Sequence, residues 1–300
     1  VGEAQKGGDD PDGSYLGETF GLAYAGDSIV AILAGQFAGA AATKRGPTGP
    51  FELSTAFLIL GGLLTAFLWK ENVAEGSSGK DNASKPSIKD AVKMVKDDPK
   101  IMLVGSVQSL FEAAMYIFVL QWPPAMSGAI EGAFGAGTST PFGTVFSCFM
   151  ACCLLGSTLF GQLMKIGVQT ETFAMAMLSV ATLAMGGATF VSSAATMPLW
   201  ALMASFFVFE ACVGMYFPSI GTLRSKYVPD SHRSVIMNLF GIPLNVLVVS
   251  VFLSIKRLGL SGALGISTGA LGVAAACMVG LRAMLRTETS QQSVAKPAIA

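Results

Sequence analysis

Charge is scarce in this chain: Asp, Glu, Lys and Arg make up 13% of its 300 residues, about half the fraction usual in soluble domains. So few solvated groups cannot clothe a soluble surface, which excludes an ordinary water-soluble domain. Basic and acidic residues number 19 each, so no positive excess points to a nucleic-acid partner. Histidine is almost missing, and the only one, His232, lies in a basic loop. The five cysteines (Cys148, Cys152, Cys153, Cys212 and Cys277) all fall inside apolar runs, which argues against a disulfide framework. Cys148 and Cys152 share a helix face, but no His or carboxylate joins them, so they read as buried apolar thiols. Asp10-Pro11-Asp12-Gly13 has part of the look of a calcium loop. With Gly13 as the invariant glycine, however, the first ligand position falls on Gly8 and the twelfth on Thr19, and the site fails. Neither a metal nor a cofactor is expected.

What the chain has is apolar length. Hydrophobic residues are 52% and mean hydropathy is +0.60, and the apolar residues come in long runs. A helix needs about 20 of them to cross the hydrocarbon core. Such runs lie near Phe20–Thr43, Phe51–Trp69, Ile101–Gln121, Phe142–Lys165, Glu171–Ser193, Leu199–Phe217, Val235–Ile255 and Leu260–Leu281. The pattern predicts an all-α polytopic membrane protein with about eight transmembrane helices in the lipid bilayer. Prolines punctuate the ends (Pro47, Pro50, Pro123, Pro124, Pro141, Pro198 and Pro218), and Pro243 sits within a span, where lipid tolerates a kink.

Lysine and arginine placement predicts the topology. One set of alternate segments holds nearly all of them, and the opposite set holds only Lys44, Arg45, Lys256 and Arg257. Both ends and the long loop are therefore expected on the cytoplasmic side. The division that follows is a cytoplasmic linker at 1–19, two helices at 20–69, a cytoplasmic loop at 70–100, six helices at 101–281 and a tail at 282–300. Val1 and the polar stretch from Gly2 to Gly17 read as a start partway into a longer protein. Within the long loop, Glu75–Lys80 has a disordered composition. After it, Ser87 reads as an N-cap, and Ile88, Ala91, Val92 and Val95 form one apolar face with lysines between. That is the pattern of an amphipathic helix on an anionic inner leaflet, with a calmodulin-type target as the sharper alternative.

Charges in mid-span are expensive and usually functional. Three occur here: Asp27, Glu112 and Glu210. The two glutamates sit in related local sequences, Phe111-Glu112-Ala113-Ala114-Met115-Tyr116 and Phe209-Glu210-Ala211-Cys212-Val213-Gly214-Met215-Tyr216, in spans three helices apart. Nested inverted repeats would produce this placement. Gln108, Glu112, Met115 and Tyr116 share a helix face, as do Asn238 and Asn245 across Pro243. The polar groups either line a cavity or glue helices together. For the glutamates the absence of a mid-span Lys or Arg favours the cavity: each must face water, carry a proton or find a partner elsewhere. The candidate substrate and proton cavity is therefore Glu112, Glu210, Gln108, Tyr116, Asp27, Asn238 and Asn245.

At these residues the sequence becomes recognisable. Gln108-Ser109-Leu110-Phe111-Glu112 followed by Phe118-Val119-Leu120-Gln121-Trp122 resembles the molybdate-anion transporter family of the major facilitator superfamily. The same is true of Phe149-Met150-Ala151 with Leu154-Leu155-Gly156-Ser157, of Glu210-Ala211-Cys212 with Tyr216-Phe217-Pro218-Ser219, and of Leu223-Arg224 leading to Val228-Pro229. The resemblance runs from about Glu18 to Leu285. It implies a helix bundle of about twelve spans, of which this chain would hold the last eight, with a cavity between its two halves. It also implies uptake of molybdate or a similar oxyanion across the plasma membrane by alternating access. One departure matters: the superfamily's loop signature survives only as Gly161, Leu163 and Lys165, without its acid.

An oxyanion needs donors. The spans offer Gln108, Tyr116, Asn238 and Asn245 and no cation, so the principal cation is expected in the helices that would precede this chain. Glu112 or Glu210 would then carry a proton while the anion is bound, because two like charges in one cavity repel. A six-helix half cannot enclose a cavity between halves, so this chain is not expected to transport alone. Rival readings are a transporter of another solute, such as a sugar or organic anion, and a transport-inactive receptor or scaffold. A membrane enzyme would need a nucleophile or metal cluster, and the sequence offers none.

Overall fold

Asp98 and Pro99 open the longest uninterrupted helix of the core, and both choices are local chemistry. The Asp98 carboxylate accepts a hydrogen bond from Lys100 N at 2.8 Å, and Pro99 takes the first helical position, where an N–H has no partner to lose. The computed structural model describes residues 16–69, 87–194, 197–229 and 232–295. Among them the elements are α1 (Leu16–Arg45), a 3-10 turn (Gly46–Thr48), α2 (Gly49–Leu68), α3 (Ile88–Asp97) and α4 (Pro99–Phe134). They continue with α5 (Phe142–Lys165), α6 (Thr170–Ser193), α7 (Leu199–Tyr227) and α8 (Arg233–Ala295). No strand occurs among the described residues. Most of the predicted linker at 1–19, and all of the Glu75–Lys80 stretch, lie outside them.

Among the described residues, six helical stretches are long and apolar enough to cross a membrane. Two of them, Gly26–Leu68 with 43 residues and Arg233–Glu288 with 56, are about twice the length that one span requires. Each is interrupted. The first turns at Gly46–Thr48, where Gly46 has φ 73°, and α8 breaks at Gly259 (φ 64°, ψ −175°), a conformation that only glycine adopts without strain. Each limb of a broken stretch is long enough for about one span.

Several boundaries differ from expectation. Pro141 and Pro198 are N-caps, but Pro123, Pro124 and Pro218 lie inside helices. In lipid, neighbouring helices can satisfy the carbonyls that a proline frees, so the helix does not have to stop. α4 therefore runs on to Phe134 and α7 to Tyr227, and α8 also continues past Leu281, to Ala295.

The core lies among α4, α5, α6, α7 and α8, and aromatic rings fill much of it. Phe111, Phe118, Phe149, Phe206 and Phe209 are buried. Phe118 meets Phe206 edge to face at 5.0 Å, and Trp122 meets Phe149 in the same manner at 5.2 Å. Both limbs of α8, 233–258 and 260–295, return to α4. Ser109 Oγ donates to Phe240 O at 2.6 Å, and Ser267 Oγ donates to Ala114 O at 3.4 Å.

Ser87 caps α3 as predicted, accepting from Lys89 N at 3.2 Å. The apolar face of α3 does not wait for a leaflet, however. Ala91 is fully buried against Ile101, Val228, Ile236 and Phe240, with Met94 and Val95 beside it, and Ile88 alone of that face stays exposed. Protein occupies most of the surface that the sequence pattern offered to lipid.

α1 crosses α5 at glycine. A Cβ on Gly35 would overlap Ser147 Oγ, and one on Gly143 would overlap the Gly35 carbonyl. Ser147 Oγ donates to Ile32 O and accepts from Gln36 Nε2, both at 2.9 Å. α2 packs on α1 and leaves Phe57, Leu58, Phe67 and Leu68 exposed.

Candidate functional site

The two related Phe-Glu pairs meet through their rings. Phe111 on α4 and Phe209 on α7 lie with centroids 6.1 Å apart, and Phe111 also stacks on Tyr216 at 3.9 Å and 14°. A glutamate follows each phenylalanine in sequence, so the two acids leave this seam in different directions and enter different surroundings.

Glu112 turns toward α7. Its Oε1 accepts a hydrogen bond from Tyr216 Oη at 3.1 Å and lies 3.8 Å from Arg224 Nη2. The glutamate side chain is 18% exposed and the arginine side chain 27%. At 3.8 Å the charges attract, but the contact is too long for a hydrogen bond. Tyr216 and Arg224 are eight residues apart in sequence, a spacing that puts them on one helix face about two turns apart. Long side chains let both reach the same carboxylate. Two polar atoms here are buried without a hydrogen-bond partner, Arg224 Nε and Gln108 Oε1. Gln108 precedes Glu112 by one turn on α4. The cluster thus holds a donor and an acceptor that no described residue satisfies.

This corrects the expectation that no cation accompanies the mid-span acids. The apolar run that marks this span closes at Phe217, short of Arg224. α7 continues through Pro218, and its last turn carries the guanidinium back into the bundle. Sequence reasoning also left Tyr216 out of the site. The detectable signal was the eight-residue spacing of Tyr216 and Arg224, legible only on a helix assumed to pass through a proline.

Glu210 faces a different partner. It is 6% exposed, and Cys153 Sγ on α5 lies 3.0 Å from its Oε2. The two helices touch backbone to backbone here. A Cβ on Gly156 would overlap the Ala211 carbonyl, and one on Gly214 would overlap the Cys153 carbonyl. Glu210 is therefore enclosed between helices and does not share Glu112's setting.

The remaining candidates are spread out. Tyr116 is 48% exposed on α4, and Asp27 is exposed on α1. Asn238 and Asn245 are exposed on the first limb of α8, where Asn245 Nδ2 donates to Gly241 O at 2.7 Å. Of the seven predicted residues, Gln108 and Glu112 come together one turn apart, while Glu210 and the asparagines stand elsewhere. Cysteine burial also divides: Cys153 and Cys212 are buried, Cys148 is exposed, and Cys152 and Cys277 are intermediate. Among the described residues, no three His, Cys, Asp or Glu side chains converge as metal ligands would.

Long apolar helices with a charged cluster between them are the build of a polytopic membrane protein. A family model described as sugar transporters with 12 transmembrane spans matches residues 1–199. The molybdate-anion transporter of Xenopus tropicalis is 30% identical over 240 residues, covering 78% of this chain and 49% of the relative. That of Xenopus laevis is 29% identical with the same coverage, and that of Danio rerio is 28% identical over 266 residues, 78% of this chain and 50% of the relative. The chain belongs to this major facilitator family, as the Gln108–Trp122 and Tyr216–Ser219 stretches implied. It spans about half the length of the curated relatives it matches.

Proposed function

We propose that this chain is part of a secondary transporter that takes up molybdate, or a similar tetrahedral oxyanion, across the plasma membrane by alternating access. The observation that carries the reading is the Glu112–Arg224 contact at 3.8 Å. Arg224 supplies a cation with a free Nε–H in a partly enclosed site, and guanidinium is well suited to oxyanions. Glu112 competes with the incoming anion for that cation. Protonating Glu112 releases Arg224 and removes a like charge from the path, so anion binding and proton binding favour each other. Gln108 can turn its amide to give a donor to the same anion. Tyr116, Asp27, Asn238 and Asn245 are proposed to line the path further along, and Glu210 to be a second proton site. The names of the relatives support the substrate, and the whole protein is the transporting unit.

The test is cell-associated molybdenum, measured by mass spectrometry at trace external molybdate, in cells lacking molybdate uptake. Full-length protein restores uptake, Arg224→Gln abolishes it, and Glu112→Gln removes its pH dependence. Wild-type rate and pH dependence in Glu112→Gln would overturn the glutamate's role. A second reading, transport of another small solute, draws on the sugar-transporter description of the family model. A correctly localised full-length protein without molybdate uptake favours it.

A further inference from the structure

Away from the Glu112 cluster, a cavity of about 830 Å3 opens among the start of α6, the end of α7 and the last turns of α8. Its wall carries five charges: Glu171, Lys226, Arg282, Arg286 and Glu288. Three of them are already answered. Lys226 Nζ lies 2.5 Å from Glu171 Oε1, and Glu288 Oε2 takes Lys100 Nζ at 2.7 Å. The two arginines are not. Arg282 Nη1 reaches Met175 Sδ at 3.7 Å, and a thioether is a weak acceptor. Arg286 is exposed and has no ion pair or hydrogen bond among the described residues. The two lie one turn apart on α8 and both line the cavity.

Backbone contributes from the opposite wall. Residues 168–171 line the cavity where α6 begins, and the N-cap Gln169 gives no side-chain hydrogen bond to the first turn. The start of a 24-residue helix, with its partial positive charge and the first-turn N–H groups other than that of Glu171, therefore borders the same space. Its first-turn acid, Glu171, is held by Lys226 and by Tyr227 Oη, which donates to it at 2.6 Å. Among the described residues these two guanidinium groups, one of them reaching only a thioether, and the N–H groups of the helix start that Glu171 does not take make a set of donors with little to answer them.

We propose that this cavity binds a phosphate group. Arg282 and Arg286 grip its oxygens as charge-assisted donors, and the first turn of α6 contributes N–H groups. The shared chemistry admits a phosphomonoester lipid headgroup or free phosphate. The place of the cavity, at the ends of three spanning helices, puts it at headgroup depth and favours the lipid.

The experiment uses the full-length protein in detergent, with dioctanoyl phosphatidic acid and inorganic phosphate as probes. Native mass spectrometry counts bound molecules, and thermal unfolding reads their effect. One phosphatidic acid should bind per protein and raise the Tm, with affinity about tenfold weaker in Arg286→Gln. That side chain has no partner to lose among the described residues, so the variant's ligand-free Tm should match wild type. Failure of millimolar phosphate to compete assigns the site to the lipid, and competition assigns it to free phosphate. Binding of neither probe, or equal binding by an Arg282→Gln/Arg286→Gln variant that keeps its ligand-free Tm, would overturn the proposal.

Discussion

Cys153 Sγ lies 3.0 Å from Glu210 Oε2 and 3.2 Å from the carbonyl oxygen of the same residue. A single thiol on α5 thus answers a buried acid on α7, at the point where the two helices touch backbone to backbone. Cys153→Ala should leave the carboxyl group short of a partner and cost about 1–3 kcal/mol. Cys153→Ser, which retains a donor, should cost less. Thermal unfolding in detergent reads the order, and equal stability of the two variants would show that the contact carries no weight.

The glycines beside that contact set a stricter test. A methyl group on Gly156 or Gly214 meets a carbonyl of the facing helix, and a backbone carbonyl cannot rotate away as a side chain can. Either Gly→Ala change should force α5 and α7 apart and cost about 1–3 kcal/mol. Gly161→Ala, where a Cβ would have open space, is the control and should leave the Tm unchanged.

At Arg224, shape and charge separate. Arg224→Lys keeps the positive charge and loses the planar fork, whereas Arg224→Gln loses both. If the guanidinium binds the anion, molybdate uptake by the lysine variant should retain some activity at raised KM, and the glutamine variant none. An electrostatic partner for Glu112 alone would leave the lysine variant near wild type in KM.

Glu171 has two partners of unequal worth. Lys226 is largely solvent-exposed while Glu171 is buried, so Lys226→Met should cost about 1 kcal/mol or less. Tyr227→Phe removes a hydrogen bond of 2.6 Å to the same oxygen and should cost about 1–2 kcal/mol. Together the two changes strand a buried carboxylate, and the double mutant should lose more than the sum. Additive losses in urea or thermal unfolding would show that the partners act independently.

The spanning runs were legible because lipid leaves one dominant signal, about 20 apolar residues. The paired glutamates were legible as well, because charge within such a run stands out. Their environments were not. Phe111-Glu112 and Phe209-Glu210 look alike along the chain, yet Arg224 lies beside one and Cys153 beside the other. Both partners come from helices remote in sequence, and no local pattern reports which side chain a neighbour will present. Proline misled in the same way. Pro218 reads as a stop from its own chemistry, and only the surrounding bundle lets α7 pass through it to reach Arg224. The face of α3 was correctly drawn around Ala91, Val92 and Val95, but periodicity names a face without naming what covers it.

The crossing of α1 and α5 joins the two helices before the long loop to the bundle after it. At Gly35 and Gly143 the seam is one backbone resting on another, pinned at that point by the Ser147 hydroxyl, which bonds Ile32 O and Gln36 Nε2. Two rods that touch at such a spot can tilt while the spot stays put. Motion of one part of the protein against the other would use this crossing as a fulcrum, and the moving surfaces would be those farthest from it along α1 and α5.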